Sequence, residues 1–151
     1  MQPVSAQVAT FDAIYAEIRR FAPEARLSRW LRLHYFSESY ELADYFLARG
    51  VSGLFTTDRE AVSYRLPPAG RAELREWGIA EHEGLKAVRT HARVETLVAD
   101  GVAPERAVDT MLDRYGFAVV MTHEYELIRP EVRAMAEALI QVLDARGAMS
   151  V

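Results

Sequence analysis

Three histidines stand in or just after apolar runs of this 151-residue chain: His34 in Leu31-Arg32-Leu33-His34-Tyr35-Phe36, His91 in Thr90-His91-Ala92-Arg93-Val94-Glu95, and His123 in Met121-Thr122-His123-Glu124-Tyr125-Glu126. An imidazole takes and gives protons near neutral pH, and its bare nitrogen ligates divalent metals. Imidazoles gathered beside carboxylates therefore have the donor types for hydrolysis, metal-assisted or by general acid–base catalysis. Asp58, which follows Thr56 and Thr57, joins His34, His91 and His123 as the candidate metal-ligating set. His123, Glu124, Arg93 and Glu95 form the candidate catalytic set, with Arg93 and Glu95 holding a substrate group and its orienting carboxylate. Each residue also has a structural alternative. A lone strand-end histidine is commonly a hydrogen-bonded structural residue, and His34 sits among aromatics. Arg93 and Glu95 are equally suited to cap the helix that follows, and Asp58 to cap a helix or turn. His82, between Glu81 and Glu83, reads as solvated surface.

The elements that must position these groups alternate in type. Met1 to about Ala9 carries little pattern and is expected to fray, whereas Phe11, Ile14, Tyr15, Ile18 and Phe21 recur at helical spacing up to Pro23. Trp30 to Phe36 reads as a buried strand, Ser37 to Gly50 as a helix, and Val51 to Thr57 as a second strand in which Gly53 permits close backbone approach. Val62 to Leu66 reads as a short extended piece before Pro67 and Pro68, and Ala69 to Trp77 as a helix. Leu85 to Thr90 is a third strand. Helices follow over Arg93 to Ala99 and, opened by Pro104, up to Tyr115. Phe117 to Met121 is a fourth strand, and Pro130 opens a last helix that ends near Gly147. Strands separated by helices favour parallel pairing with crossover connections, and loops at the strand carboxyl ends are where such folds build sites. The expected fold is α/β, one domain over residues 1–151.

Composition narrows the function classes. Eighteen Lys and Arg against 22 Asp and Glu give a net charge of −4 with no basic stripe, which argues against nucleic acid as a partner. No apolar run approaches the roughly 20 residues that span a bilayer, and the first residues lack the order of a secretion signal. The expectation is a cytoplasmic protein without a membrane partner. The chain has no Cys, so any metal must be held by His and carboxylates. Gly-rich phosphate loops, a Gly-x-Ser-x-Gly elbow and a His-Glu-x-x-His helix are all missing. The acidic balance favours a neutral sugar or small molecule as ligand.

Several short motifs in order carry a resemblance: Arg20-Phe21-Ala22, Leu27-Ser28, Leu31 to Phe36, Gly50-Val51-Ser52-Gly53-Leu54-Phe55, Ser63-Tyr64-Arg65-Leu66, Thr90 to Glu95, and Thr122-His123-Glu124. From about residue 11 onward the chain resembles the C-terminal part of polysaccharide deacetylase-like proteins of the NodB-type carbohydrate esterase superfamily. The resemblance implies an irregular (β/α) barrel and a divalent metal, zinc or similar, that activates water against an N- or O-acetyl group. It implies that His123 is a late-strand histidine and His34 an earlier one. The chain departs from the pattern in three ways. It has no Asp-Asp pair, it is shorter than the ~250 residues usual for such a barrel, and it has Thr90-His91 where Thr-Asp is expected. The expectation is a partial or irregular barrel-like layer of about four strands, completed by a second copy or a partner chain. The function expected is that of a deacetylase-like hydrolase. The alternative is a non-catalytic binding or oligomerisation module derived from such a barrel.

Overall fold

The computed structural model describes residues 3–23, 27–33, 40–59 and 66–148. The chain divides between Val88 and Arg89 into two compact units, each with its own apolar core. No Pro- or Ser-rich linker marks that point, because the division falls inside a strand.

The first unit opens with helix α1, Val4–Phe21. It begins within the stretch expected to fray, since Val8 and Phe11 pack against the core and give that turn a reason to stay helical. Phe11 meets Phe46 edge-on at 5.0 Å. The Asp12 carboxylate accepts from the Tyr45 hydroxyl at 2.7 Å and from the Arg49 guanidinium at 2.7 Å, which fastens α1 to the next helix. A 3₁₀ turn, Tyr40–Leu42, leads into that helix, α2, Ala43–Leu47.

Four strands form the sheet of this unit: β1, Trp30–Arg32; β2, Gly53–Thr56; β3, Ile79–His82; and β4, Leu85–Arg89. Their order is β1-β2-β4-β3. Helix α3, Pro68–Trp77, stands between β2 and β3, with Pro68 in its first turn, where a missing N–H costs nothing. The fold is mixed α/β with a mostly parallel sheet. β1 and β2 run parallel with Trp30 opposite Gly53.

β3, which is not among the strands expected, runs antiparallel to β4, an exception to the parallel pairing that helix-separated strands favour. Their two-residue connection, Glu83 and Gly84, has positive φ at both positions (51° and 76°), the backbone that a tight hairpin demands and that glycine accepts readily. Glu81 stands opposite Lys86, while Ala80, Leu85 and Ala87 turn into the core. His82, expected as solvated surface, is instead a strand residue whose ring meets Tyr40 edge-on at 4.7 Å. The Glu-His-Glu composition conceals a strand whose alternate residues face water.

The second unit contains strand β5, Ala92–Arg93; helix α4, Val94–Ala99; helix α5, Pro104–Tyr115; strand β6, Val120–Met121; a 3₁₀ turn, Glu124–Ile128; and helix α6, Pro130–Ala145. Pro104 and Pro130 open their helices as expected. Val94, Val108, Met111, Val132 and Leu139 meet in the core between these helices. β6 is shorter than the strand expected over Phe117–Met121, since only two residues find a partner strand. Neither sheet closes on itself among the described residues. No described helix is long and apolar enough to cross a membrane.

Gly53 is the tightest point of the first sheet, because β2 is flanked on both sides. A Cβ there would run into the Trp30 ring and come within 2.7 Å of the Lys86 carbonyl oxygen. Gly53→Ala is expected to lower the unfolding free energy by about 1–3 kcal/mol, as overpacking of a full site does. Urea denaturation of the two proteins checks this, and an unchanged midpoint would show that the strands spread at no cost.

Candidate functional site

The two-stranded sheet of the second unit sets the site. β5 and β6 run parallel, Ala92 opposite Val120 and Arg93 opposite Met121, so both strands end at the same side. Carboxyl ends of parallel strands are where α/β folds gather functional side chains. From β5 the chain turns directly into α4, which puts Glu95 in the first helical turn. From β6 it continues through Thr122 and His123 before winding into the 3₁₀ turn.

These two exits meet side chain to side chain. The Thr122 hydroxyl donates to Glu95 Oε2 at 3.2 Å, and His123 Nδ1 lies 3.4 Å from Glu95 Oε1. Both partners of the imidazole–carboxylate pair are largely withdrawn from water, with side chains 24 % and 15 % exposed. A carboxylate only accepts, so the proton of a neutral His123 sits on Nδ1 in this arrangement and Nε2 is left as the acceptor. The Tyr125 ring stacks on the imidazole at 5.0 Å with 20° between planes. Arg93 is half-buried at the end of β5, and its guanidinium makes no hydrogen bond or ion pair among the described residues. Glu124 is exposed as the first residue of the 3₁₀ turn.

His91 has a different situation, at the opposite end of the strand pair. Its backbone N–H donates to the Val119 carbonyl at 2.9 Å, and its ring Nδ1 accepts from the Val119 N–H at 3.1 Å. The ring stacks flat on Tyr115 at 4.4 Å, with Phe117 at 5.1 Å. Burial, followed by the nearby Arg89 and Arg114 guanidiniums, pushes its pKa down from 6.5 to about 4. Nε2 is buried without a hydrogen-bond partner. His91 is therefore a neutral residue that pins β5 to β6, with its one bare nitrogen already used.

Of the candidate set, the structure brings together His123 and Glu95. Asp58 belongs to the first unit, where its carboxylate takes the Arg75 guanidinium at 3.3 Å. His34 lies outside the described residues. Among the described residues no three His, Asp or Glu side chains are grouped as a metal ion requires. Thr122, Tyr125 and Tyr115 were not singled out as site residues from sequence. The adjacency of Thr122 to His123 was the available signal for the first, and nothing in the sequence marks the stacking of the other two. No protein-family model, characterised protein or solved structure matches the chain.

The depressed pKa of His91 makes stability depend on pH. Between about 4 and 6.5 the unfolded chain binds a proton at this position that the folded chain refuses, so stability is complete above 6.5 and falls as pH drops toward 4. Thermal unfolding from pH 7 to pH 4 is expected to show that decline, and His91→Gln, which keeps an acceptor but does not titrate, is expected to flatten it. An unchanged slope in the variant would place the titration elsewhere.

Proposed function

We propose that the chain is a deacetylase-like hydrolase domain acting on a neutral acylated sugar, with His123 as the proton-transferring group and Glu95 as the residue that orients it. The observation that carries this reading is the shared Glu95 carboxylate, which takes Thr122 on one oxygen and His123 on the other. A carboxylate against Nδ1 holds the imidazole in one tautomer and stabilises the cation that forms when Nε2 takes a proton.

The chemistry follows from that geometry. Nε2 removes a proton from water as the water oxygen adds to the acyl carbon. The carbonyl oxygen gains the charge, and Arg93 is the cation available at this strand end to stabilise it. The bond from the acyl carbon to the sugar nitrogen or oxygen then breaks, and the proton on Nε2 passes to the departing atom. The products are the free sugar group and the carboxylic acid. The motif resemblance gives the same reaction class and the same histidine, and extends it to a barrel-like layer and a divalent metal whose further donors would lie beyond His123 and Glu95.

A second reading is a binding or assembly module. It is favoured by α1, which has no fully buried residue and leaves Ile14 at 48 % and Phe21 at 76 % exposure. Under this reading the helix is covered by another copy or a partner chain, and light scattering of the isolated protein is expected to show a dimer or larger species. A monomer at every concentration would remove the self-assembly form of this reading.

The hydrolase reading is tested by acetate release from N- and O-acetylated oligosaccharides. His123→Ala is expected to lower kcat by about 10²–10⁴-fold, the scale of a lost general acid–base. Glu95→Gln is expected to lower kcat more than it raises KM. Activity that survives His123→Ala unchanged would contradict the assignment.

A further inference from the structure

The residues that follow His123 form an exposed apolar ledge. In a 3₁₀ turn positions three apart eclipse each other, so Tyr125 and Ile128 share one side of the turn. Both face water, at 58 % and 77 % exposure, while Leu127 between them packs against the core. One face of the Tyr125 ring lies on the His123 imidazole, which joins the ledge directly to the imidazole–carboxylate pair. The charges nearby are mostly acidic. Glu124 is exposed with no ion pair among the described residues, and Glu126 and Glu131 share Arg129 at 3.1 and 2.9 Å.

We propose that Tyr125 and Ile128 are the substrate platform of this site, on which a neutral sugar ring lies with its C–H face on the side of the aromatic ring turned away from the imidazole and its acyl group reaching past the ring edge toward His123. This rests on the hydrolase reading and names its substrate-recognising residues. Size decides against a protein partner. A whole aromatic side chain buries about 150–250 Å², so two side chains offer a few hundred Å² at most, well below the roughly 1,000 Å² of a specific protein interface. A patch of that size matches a small ring with an apolar face. Polar rims of hydroxyls suit carboxylates as acceptors, and the acidic surround disfavours anionic sugars.

The test uses the full chain and a tetramer of N-acetylglucosamine, with binding followed by ligand-observed NMR and acetate release measured in the same samples. Tyr125→Ala is expected to weaken binding by about tenfold, the scale of one stacked aromatic face, and Tyr125→Phe to bind as the parent does. Ile128→Ser, on the same ledge, is expected to weaken binding to a smaller extent. Unchanged melting temperatures separate these effects from misfolding. Tyr125-dependent binding without acetate release keeps the platform and overturns the hydrolase reading. Acetate release with the same KM and the same affinity in Tyr125→Ala overturns the platform and keeps the hydrolase. No binding and no release overturns both, and tighter binding of an acidic oligosaccharide overturns the preference for neutral sugars.

Discussion

A single carboxylate holds the second unit's polar end together. Glu95 on α4 takes the hydroxyl of Thr122 with one oxygen and faces the imidazole of His123 with the other, so a helix and the exit of a strand are tied through one side chain. The tie depends on parallel pairing. With β5 and β6 in the register Ala92 to Val120 and Arg93 to Met121, the residues just beyond each strand come to the same edge. A register slip of one residue would turn the side chains of one strand to the other face and separate the pair.

The same short sheet shows how position decides what a histidine does. His91 precedes β5 and spends its acceptor nitrogen on the Val119 N–H, sealed by Tyr115 and Phe117. His123 follows β6, turns its Nδ1 to a carboxylate, and keeps part of its surface in water. The first is held neutral by burial and by two neighbouring guanidiniums. The second has the orientation and the access that proton transfer to a bound molecule requires. Tyr115 and Tyr125 stack on the two rings, the first partly buried and the second exposed.

Much of the element order was legible from residue types. Pro104 and Pro130 marked helix starts, and Gly53 marked the close approach of strands. The hairpin was not legible, because Glu81, His82 and Glu83 look like loop and only the backbone shows Glu83 and Gly84 making a two-residue turn. The division into two units was hidden for a related reason: it falls within a continuous strand sequence, where composition does not change. In the site, Glu95 and His123 were legible as chemistry-bearing types at predicted strand ends. Their pairing was not, since it depends on register across 28 residues of chain. The fate of His91 was also out of reach, because a hydrogen bond from a backbone amide leaves no trace in side-chain spacing.

The direct measurement of the central claim is the ¹⁵N spectrum of the His123 imidazole in the neutral protein, with Glu95→Ala as the comparison. The account predicts the proton on Nδ1 and a bare Nε2 in the parent chain, and loss of that preference when the carboxylate is removed. A parent imidazole protonated on Nε2, or a tautomer indifferent to Glu95, would contradict it.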